Sequence, residues 1–201
     1  MSTNAGAKRD PVMPDADRAL ALLDNSDLIC GEAEVDAALE TLAREIGAAL
    51  KDDYPLVVAV MGGAVVFAGK LLPMLRFPLD FDYVHVTRYG AATAGGAIEW
   101  LVSPRADVRG RHVLVLDDIL DGGQTMHAIV EKLQAQGAAK VCCAVLVEKM
   151  IAAKKPISPD FVGLRVPDRF VFGCGMDAMG YWRNLPEIRA MRENPSPETS
   201  G

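Results

Sequence analysis

The stretch Val113-Leu114-Val115-Leu116-Asp117-Asp118-Ile119-Leu120-Asp121-Gly122-Gly123-Gln124-Thr125 decides the reading of the fold. An apolar run ends in two carboxylates and passes through a glycine pair into a helix-forming segment, the order of parts found where a parallel strand meets the next helix. Glycines let the backbone bend so that several amides converge, just where the following helix presents its positive dipole end. Such a nest suits a sugar phosphate. Asp117 and Asp118 then lie where a ribose diol would sit, each able to accept two hydroxyl hydrogen bonds, and Thr125 adds a hydroxyl donor. Acidic residues at strand ends and glycines in strand-to-helix turns are also ordinary in α/β proteins, so the order of the parts carries the argument. No Gly-Lys-Ser/Thr follows the glycines, and no G-x-G-x-x-G occurs anywhere in the chain.

Working outward, residues 56–61 (Leu-Val-Val-Ala-Val-Met) form a second continuous apolar run, expected to be a strand buried on both faces as in a parallel sheet. Gly62-Gly63 leads from it into a helix expected to reach Leu75. Upstream, Val35, Ala38, Leu39, Leu42, Ile46, Ala49 and Leu50 recur at helical spacing and predict a helix with one apolar face. Residues 79–87 alternate as a strand with two unlike faces, residues 89–96 are small and glycine-rich, and 97–102 can return as an antiparallel partner. A strand at 112–118, a helix at 124–136 ending on Gly137, and a strand at 141–147 follow. Residues 161–166 and 170–174 add short apolar segments. This order predicts an α/β fold with a mainly parallel central sheet flanked by helices, its ligands gathered at the C-terminal ends of the strands.

The 201 residues, half of them hydrophobic, suffice for one sizeable core. One domain is expected over 15–192, with flexible tails at 1–14 and 193–201. A net charge of −6 without a basic cluster argues against nucleic acid as a partner. No apolar run approaches membrane-spanning length and no signal peptide is evident, so a cytoplasmic protein without a membrane partner is expected. Cysteines 30, 142, 143 and 174 form no C-x-x-C pair. Cys142 and Cys143 are read as small hydrophobes on opposite faces of a strand.

The 113–125 run closely resembles the phosphoribosyl diphosphate (PRPP) loop of type I phosphoribosyltransferases. Further segments, in order between about residues 26 and 188, resemble the hypoxanthine-guanine members. Val60-Met61-Gly62-Gly63 resembles their diphosphate loop and Thr87-Arg88-Tyr89-Gly90 their lid. Residues 159–163 and 166–171 resemble the purine-pocket region, and 171–183 completes the match. That resemblance implies transfer of a 5-phosphoribosyl group to hypoxanthine or guanine in purine salvage, giving IMP or GMP and diphosphate, in a fold with a hairpin lid and a small purine-binding hood.

It also implies roles for particular residues. Asp117, Asp118, Asp121, Gly122, Gly123, Gln124 and Thr125 would hold the ribose phosphate, and Met61, Gly62, Gly63, Arg169 and Arg183 the diphosphate. Asp121 would be the catalytic base near purine N7, with helix capping as its other reading. Lys149 would donate to the C6 oxygen, Phe170 would stack on the ring, and the Val171 carbonyl would accept from an exocyclic amine, with Asp177 beside them. Asp117, Asp118 and Asp177 would organise a magnesium ion, Arg88 and Tyr89 would belong to the lid, and a homodimer or homotetramer would be the assembly. A non-proline cis peptide would fall at Val60-Met61. The chain departs from the resembling pattern at Met61, where lysine is frequent, and at Gly122 and Gln124, where threonine and lysine are. A xanthine- or adenine-preferring enzyme and a non-catalytic PRPP or nucleotide sensor share much of this pattern.

Overall fold

A computed structural model describes residues 15–88 and 98–192, with Arg88 described only in its backbone. The elements follow in chain order as α1 (Ala16–Asp24), β1 (Ser26–Cys30), α2 (Glu32–Leu50), β2 (Leu56–Met61) and α3 (Ala64–Leu71). A 3₁₀ turn (Leu72–Met74) leads to β3 (Asp80–Arg88) and β4 (Ile98–Val102). Then come β5 (His112–Leu120), α4 (Gln124–Ala135), β6 (Lys140–Met150), β7 (Phe161–Pro167), β8 (Val171–Phe172) and β9 (Ile188–Met191). The six-stranded sheet runs in the order β4-β3-β2-β5-β6-β7, every neighbour parallel except the β3–β4 hairpin. Both apolar runs singled out by sequence, β2 and β5, are adjacent at its centre.

Helices cover both faces, which is why the central strands show no alternation. On one face Val57, Ala59, Leu114 and Leu116 pack with Val35, Leu39, Leu42 and Ile46 of α2 and with Phe67 of α3. The opposite face sets Val58, Val60, Val113 and Val115 against Met126, Ile129, Val130 and Leu133 of α4. Neighbours in the chain therefore serve different layers: Cys142 belongs to the first cluster and Cys143 to the second. All four thiols are free and buried, and burial raises the Cys143 thiol to about 12 and that of Cys174 to about 11.

Two local outcomes differ from expectation. Helix α3 stops at Leu71 rather than Leu75, because Pro73 lacks the amide a continuing helix needs and tightens the chain into the 3₁₀ turn. A second, three-stranded antiparallel sheet, in the order β1-β9-β8, joins the first described strand to the last. Ser26 pairs with Met191, and Val171 with Ala190. This small sheet forms the hood. Helix α1 is fastened to the loop beneath it, Trp182 Nε1 donating to the Ala19 carbonyl at 2.6 Å and the Asp15 amide to the Tyr181 hydroxyl at 3.2 Å. The expected tails and the lid at 89–97, including Tyr89, lie outside the described residues.

Candidate active site

Strands β2 and β5 end side by side, and the turns that follow them form the floor of a cleft. Its first lobe encloses about 470 Å³ and is lined by Met61 and Gly63 on one side and by Asp117, Asp118 and 121–126 on the other. A second lobe of about 390 Å³ is lined by Lys149, Phe170, Val171 and Asp177. Asp118, Ile119, Asp121 and Arg183 line both lobes, so the two form one site.

Gly123 makes the sharp turn between β5 and α4. It is the helix N-cap at φ +81, a conformation that favours glycine, and it has no side chain to satisfy the first helical amides. Gln124, Thr125 and Met126 of that first turn line the lobe, so the amide-rich, positive end of a twelve-residue helix faces an anion-sized space. Asp121 does not cap the helix. Its carboxylate instead meets Lys149 Nζ at 3.0 Å. The Asp121 side chain is 58% exposed, whereas that of Lys149 is only 11% exposed.

Asp117 and Asp118 lie within β5, Asp117 level with Val145 of β6. The Asp118 amide donates to Asp117 Oδ1 at 3.0 Å, and the Ile119 amide to Asp118 Oδ1 at 2.9 Å. Burial, then the neighbouring Asp118 carboxylate, pushes Asp117 well above the ordinary carboxylate value of 3.8. Burial raises Asp118 too, opposed by its hydrogen bonding with Asp117 and the Ile119 amide and by Arg183. Glycine is required beside this pair for space: a Cβ on Gly63 would overlap the Asp118 carboxylate, and one on Gly175 would overlap the Gly63 carbonyl.

The raised Asp117 has a consequence for stability. A carboxyl titrating higher in the fold than in the open chain contributes stability that is complete below 3.8 and is lost as pH rises through the folded value. Asp117→Asn keeps an oxygen acceptor for the Asp118 amide and removes the buried charge. Without ligand or divalent cation it is expected to melt at a higher temperature than wild type at pH 8. At pH 4 that advantage is expected to shrink, and binding of a sugar phosphate at neutral pH is expected to weaken. Thermal melts across pH and ligand titration check both halves.

Asp177 accepts from Arg183 Nη2 at 2.5 Å and from the Gly180 amide at 2.7 Å, while Arg183 Nη1 donates to the Gly175 carbonyl at 2.7 Å. Arg183 is thereby held where it lines both lobes. With its carboxylate turned onto Arg183, Asp177 does not join Asp117 and Asp118. Among the described residues no three His, Cys, Asp or Glu side chains group to hold a metal ion.

Three further expectations are corrected or narrowed. Arg169 lines neither lobe. Its Nη2 donates to Asp27 Oδ2 at 2.7 Å and to the Met191 carbonyl at 2.9 Å, so it ties β1 to β9 and is spent on the hood instead of diphosphate. The cis peptide is Met61-Gly62, not Val60-Met61. Gly62 stays outside the lining of the first lobe while Met61 and Gly63 belong to it. Phe170, beside Arg169, is 55% exposed and presents an open ring to the second lobe. Arg88 ends β3, its backbone level with Ile98 of β4.

Sequence reasoning did not single out Lys155. Its side chain is 12% exposed, and its Nζ donates to the Leu120 carbonyl at 3.1 Å and the Lys149 carbonyl at 2.6 Å. In the sequence it is one of two lysines before a proline, and no local pattern separates it from Lys154.

A parallel sheet whose central strand ends deliver two acidic residues, an amide-rich helix start and a facing arginine defines a phosphoribosyltransferase. The chain belongs to that family, the Phosphoribosyl transferase domain matching residues 31–179. It is 31% identical over 166 residues to the hypoxanthine-guanine phosphoribosyltransferase of Bacillus subtilis, covering 82% of this chain and 92% of that protein. To the hypoxanthine-guanine-xanthine phosphoribosyltransferase of Tritrichomonas foetus it is 32% identical over 185 residues, 92% of this chain and 96% of the other. A solved hypoxanthine-guanine-xanthine phosphoribosyltransferase superposes with a TM-score of 0.77 at 29% identity, covering 85% of this chain and 99% of that one. One from Bacillus anthracis, a hypoxanthine-guanine phosphoribosyltransferase, gives 0.77 at 26% identity, covering 82% and 97%.

Proposed function

We propose that this chain is a purine-salvage enzyme that transfers the 5-phosphoribosyl group of PRPP to hypoxanthine or guanine, forming IMP or GMP and diphosphate. The contact between Asp121 and Lys149 carries this reading. It spans 3.0 Å where the two lobes meet. A 6-oxopurine presents O6 and N7 about 3 Å apart on one edge, so a lysine donor for O6 and a carboxylate for N7–H match it together. Adenine turns an amino donor toward the ammonium and is rejected.

In the reaction the bond from C1′ to the diphosphate oxygen breaks as purine N9 attacks C1′. Diphosphate leaves with the bonding pair, and the N7 proton passes to Asp121. Positive charge on the ribose is greatest midway, so charge placement dominates the catalysis. Amides of the α4 start hold the 5′-phosphate, Asp117 and Asp118 accept from the ribose hydroxyls, and Arg183 with the Gly63 amide stabilises the leaving diphosphate. Phe170 packs on the purine face.

Magnesium suits this donor set. Hard carboxylate oxygens from one or two residues, with water and phosphate oxygens completing the shell, are its usual surroundings. Asp117 and Asp118, both on the first lobe, would offer such oxygens, and the ion would supply charge neutralisation on the diphosphate.

The deciding experiment incubates the protein with PRPP, magnesium and hypoxanthine, guanine, xanthine or adenine separately and follows nucleotide formation. Turnover is expected with the first two; no product from any base overturns the reading and leaves a sensor in its place. Xanthine is included because the Tritrichomonas foetus relative is named for it. Lys149→Ala is expected to cut the preference for hypoxanthine over adenine, measured as a kcat/KM ratio, by about 10²-fold. An unchanged ratio rejects its role.

The setting proposed is the cytoplasm, with self-association into a dimer or tetramer. Four free buried thiols accord with a reducing compartment, and among the described residues no helix is long and apolar enough to cross a membrane. Light scattering of the purified protein tests the assembly.

A further inference from the structure

Beyond Met150 the chain leaves β6, loops outward, and returns at Lys154-Lys155-Pro156-Ile157 against the phosphate-binding turn. A Cβ on Gly123 would lie 3.4 Å from Pro156 and 3.5 Å from both Ile157 and Lys155, so this return strap packs directly on the turn. Ile157 anchors it by packing against the core cluster that includes Met126 and Ile129 of α4. Lys154 points to solvent, and Lys155 does not.

The Lys155 ammonium donates to the Leu120 carbonyl at 3.1 Å and the Lys149 carbonyl at 2.6 Å, and it forms an ion pair with Glu148 Oε1 at 3.6 Å. Leu120 is the last residue of β5 and directly precedes Asp121. Lys149 is the residue whose side chain reaches Asp121. Pairing between β5 and β6 ends at Leu120 opposite Glu148, so past that point no ladder hydrogen bond fixes the distance between the strand ends. An ammonium bonded to both carbonyls supplies the missing cross-link. Burying a lysine in this place would be costly without partners, and here two carbonyls accept from it and the Glu148 carboxylate balances its charge.

We propose that Lys155 is a positioning residue that sets the spacing of Asp121 and Lys149, and through it the affinity and choice of the purine base. It touches neither substrate. The proposal rests on the functional reading of the Asp121 and Lys149 pair given above. It separates base recognition from PRPP recognition, because the amides of the α4 start and the buried Asp117 and Asp118 are held by β5 and α4 themselves.

Lys155→Met retains the length and packing of the side chain and removes every donor. Steady-state kinetics with hypoxanthine, adenine and PRPP are measured for wild type, Lys155→Met and the solvent-facing control Lys154→Met, with melting curves for each. Lys155→Met is expected to raise KM for hypoxanthine about tenfold, leave KM for PRPP within about twofold, and lower the preference for hypoxanthine over adenine about tenfold. Lys154→Met stays within about twofold of wild type throughout. If Lys155→Met does not fold, Lys155→Gln, which is shorter and replaces the ammonium with a neutral amide, is measured in its place against the same criteria. A base KM and base preference unchanged in the folded variant overturn the proposal alone, as does an equal rise of KM for base and PRPP. A wild-type protein making no nucleotide from any base overturns the functional reading, and this proposal with it.

Discussion

Asp121→Asn is expected to lower kcat by about 10²- to 10⁴-fold while PRPP affinity changes by no more than about threefold. The amide has the size and shape of the carboxylate, and the side chain is more exposed than buried, so the substitution costs little stability. What it loses is the capacity to accept the proton leaving N7 and to balance positive charge on the purine as the ribosyl bond forms. In the proposed function PRPP is held elsewhere, by the amides at the start of α4, the two β5 carboxylates and Arg183. Lys149 keeps an oxygen acceptor in the Asn side chain, so the lysine is not released from its place. Single-turnover rates with hypoxanthine, together with calorimetric titration of PRPP, divide the two effects. A kcat within tenfold of wild type would remove Asp121 from the proton transfer and leave it only the task of holding Lys149.

What the sequence made legible follows from how far apart the determinants lie. Strands β2 and β5 announce themselves because burial on both faces leaves a continuous apolar run, and the Asp-Asp to Gly-Gly order places the phosphate turn within thirteen consecutive residues. The hood was expected from the resemblance alone, and the strands that build it were not legible. Its strands are short and partly exposed, and β1 pairs with β9 across nearly the whole chain, a register no local period records. Arg169 was misassigned for the same reason: its partner Asp27 is 142 positions away, and nothing adjacent distinguishes an arginine that faces the cleft, such as Arg183, from one that clasps two strands. Lys149 was singled out through the family resemblance, because on local grounds a lysine at a strand end reads equally as a surface cap. Lys155 has the same burial and a role that depends on two carbonyls contributed by different strands, so only the assembled fold shows it.

Gly63→Ala is expected to reduce kcat/KM by at least about 10²-fold and to destabilise the protein by about 1–3 kcal/mol. Backbone strain does not enter, since Gly63 sits at φ −66 and ψ −45, a helical conformation alanine prefers. The obstacle is space. All three carboxylate atoms of Asp118 fall within overlap distance of the added methyl, and the Gly63 carbonyl is itself hemmed in by Gly175. Neither neighbour can yield cheaply: Asp118 is buried and fixed by its hydrogen bond from the Ile119 amide, and Gly175 holds the Arg183 side chain through its carbonyl. Relief therefore moves a carboxylate or an arginine that lines the cleft and that the proposed function assigns to PRPP, and a displacement near 1 Å at such groups is enough for a loss of that size. Gly69→Ala on the same helix is the control. No atom lies within 4 Å of its added Cβ, and the exchange should be neutral or stabilise by up to about 1 kcal/mol. Comparing denaturant midpoints and kcat/KM for the two variants separates the close approach at Gly63 from any general effect of alanine in α3. Equal behaviour of the two would mean that Asp118 has room to move without consequence, and that its placement against Gly63 is not what the diphosphate end of the site depends on.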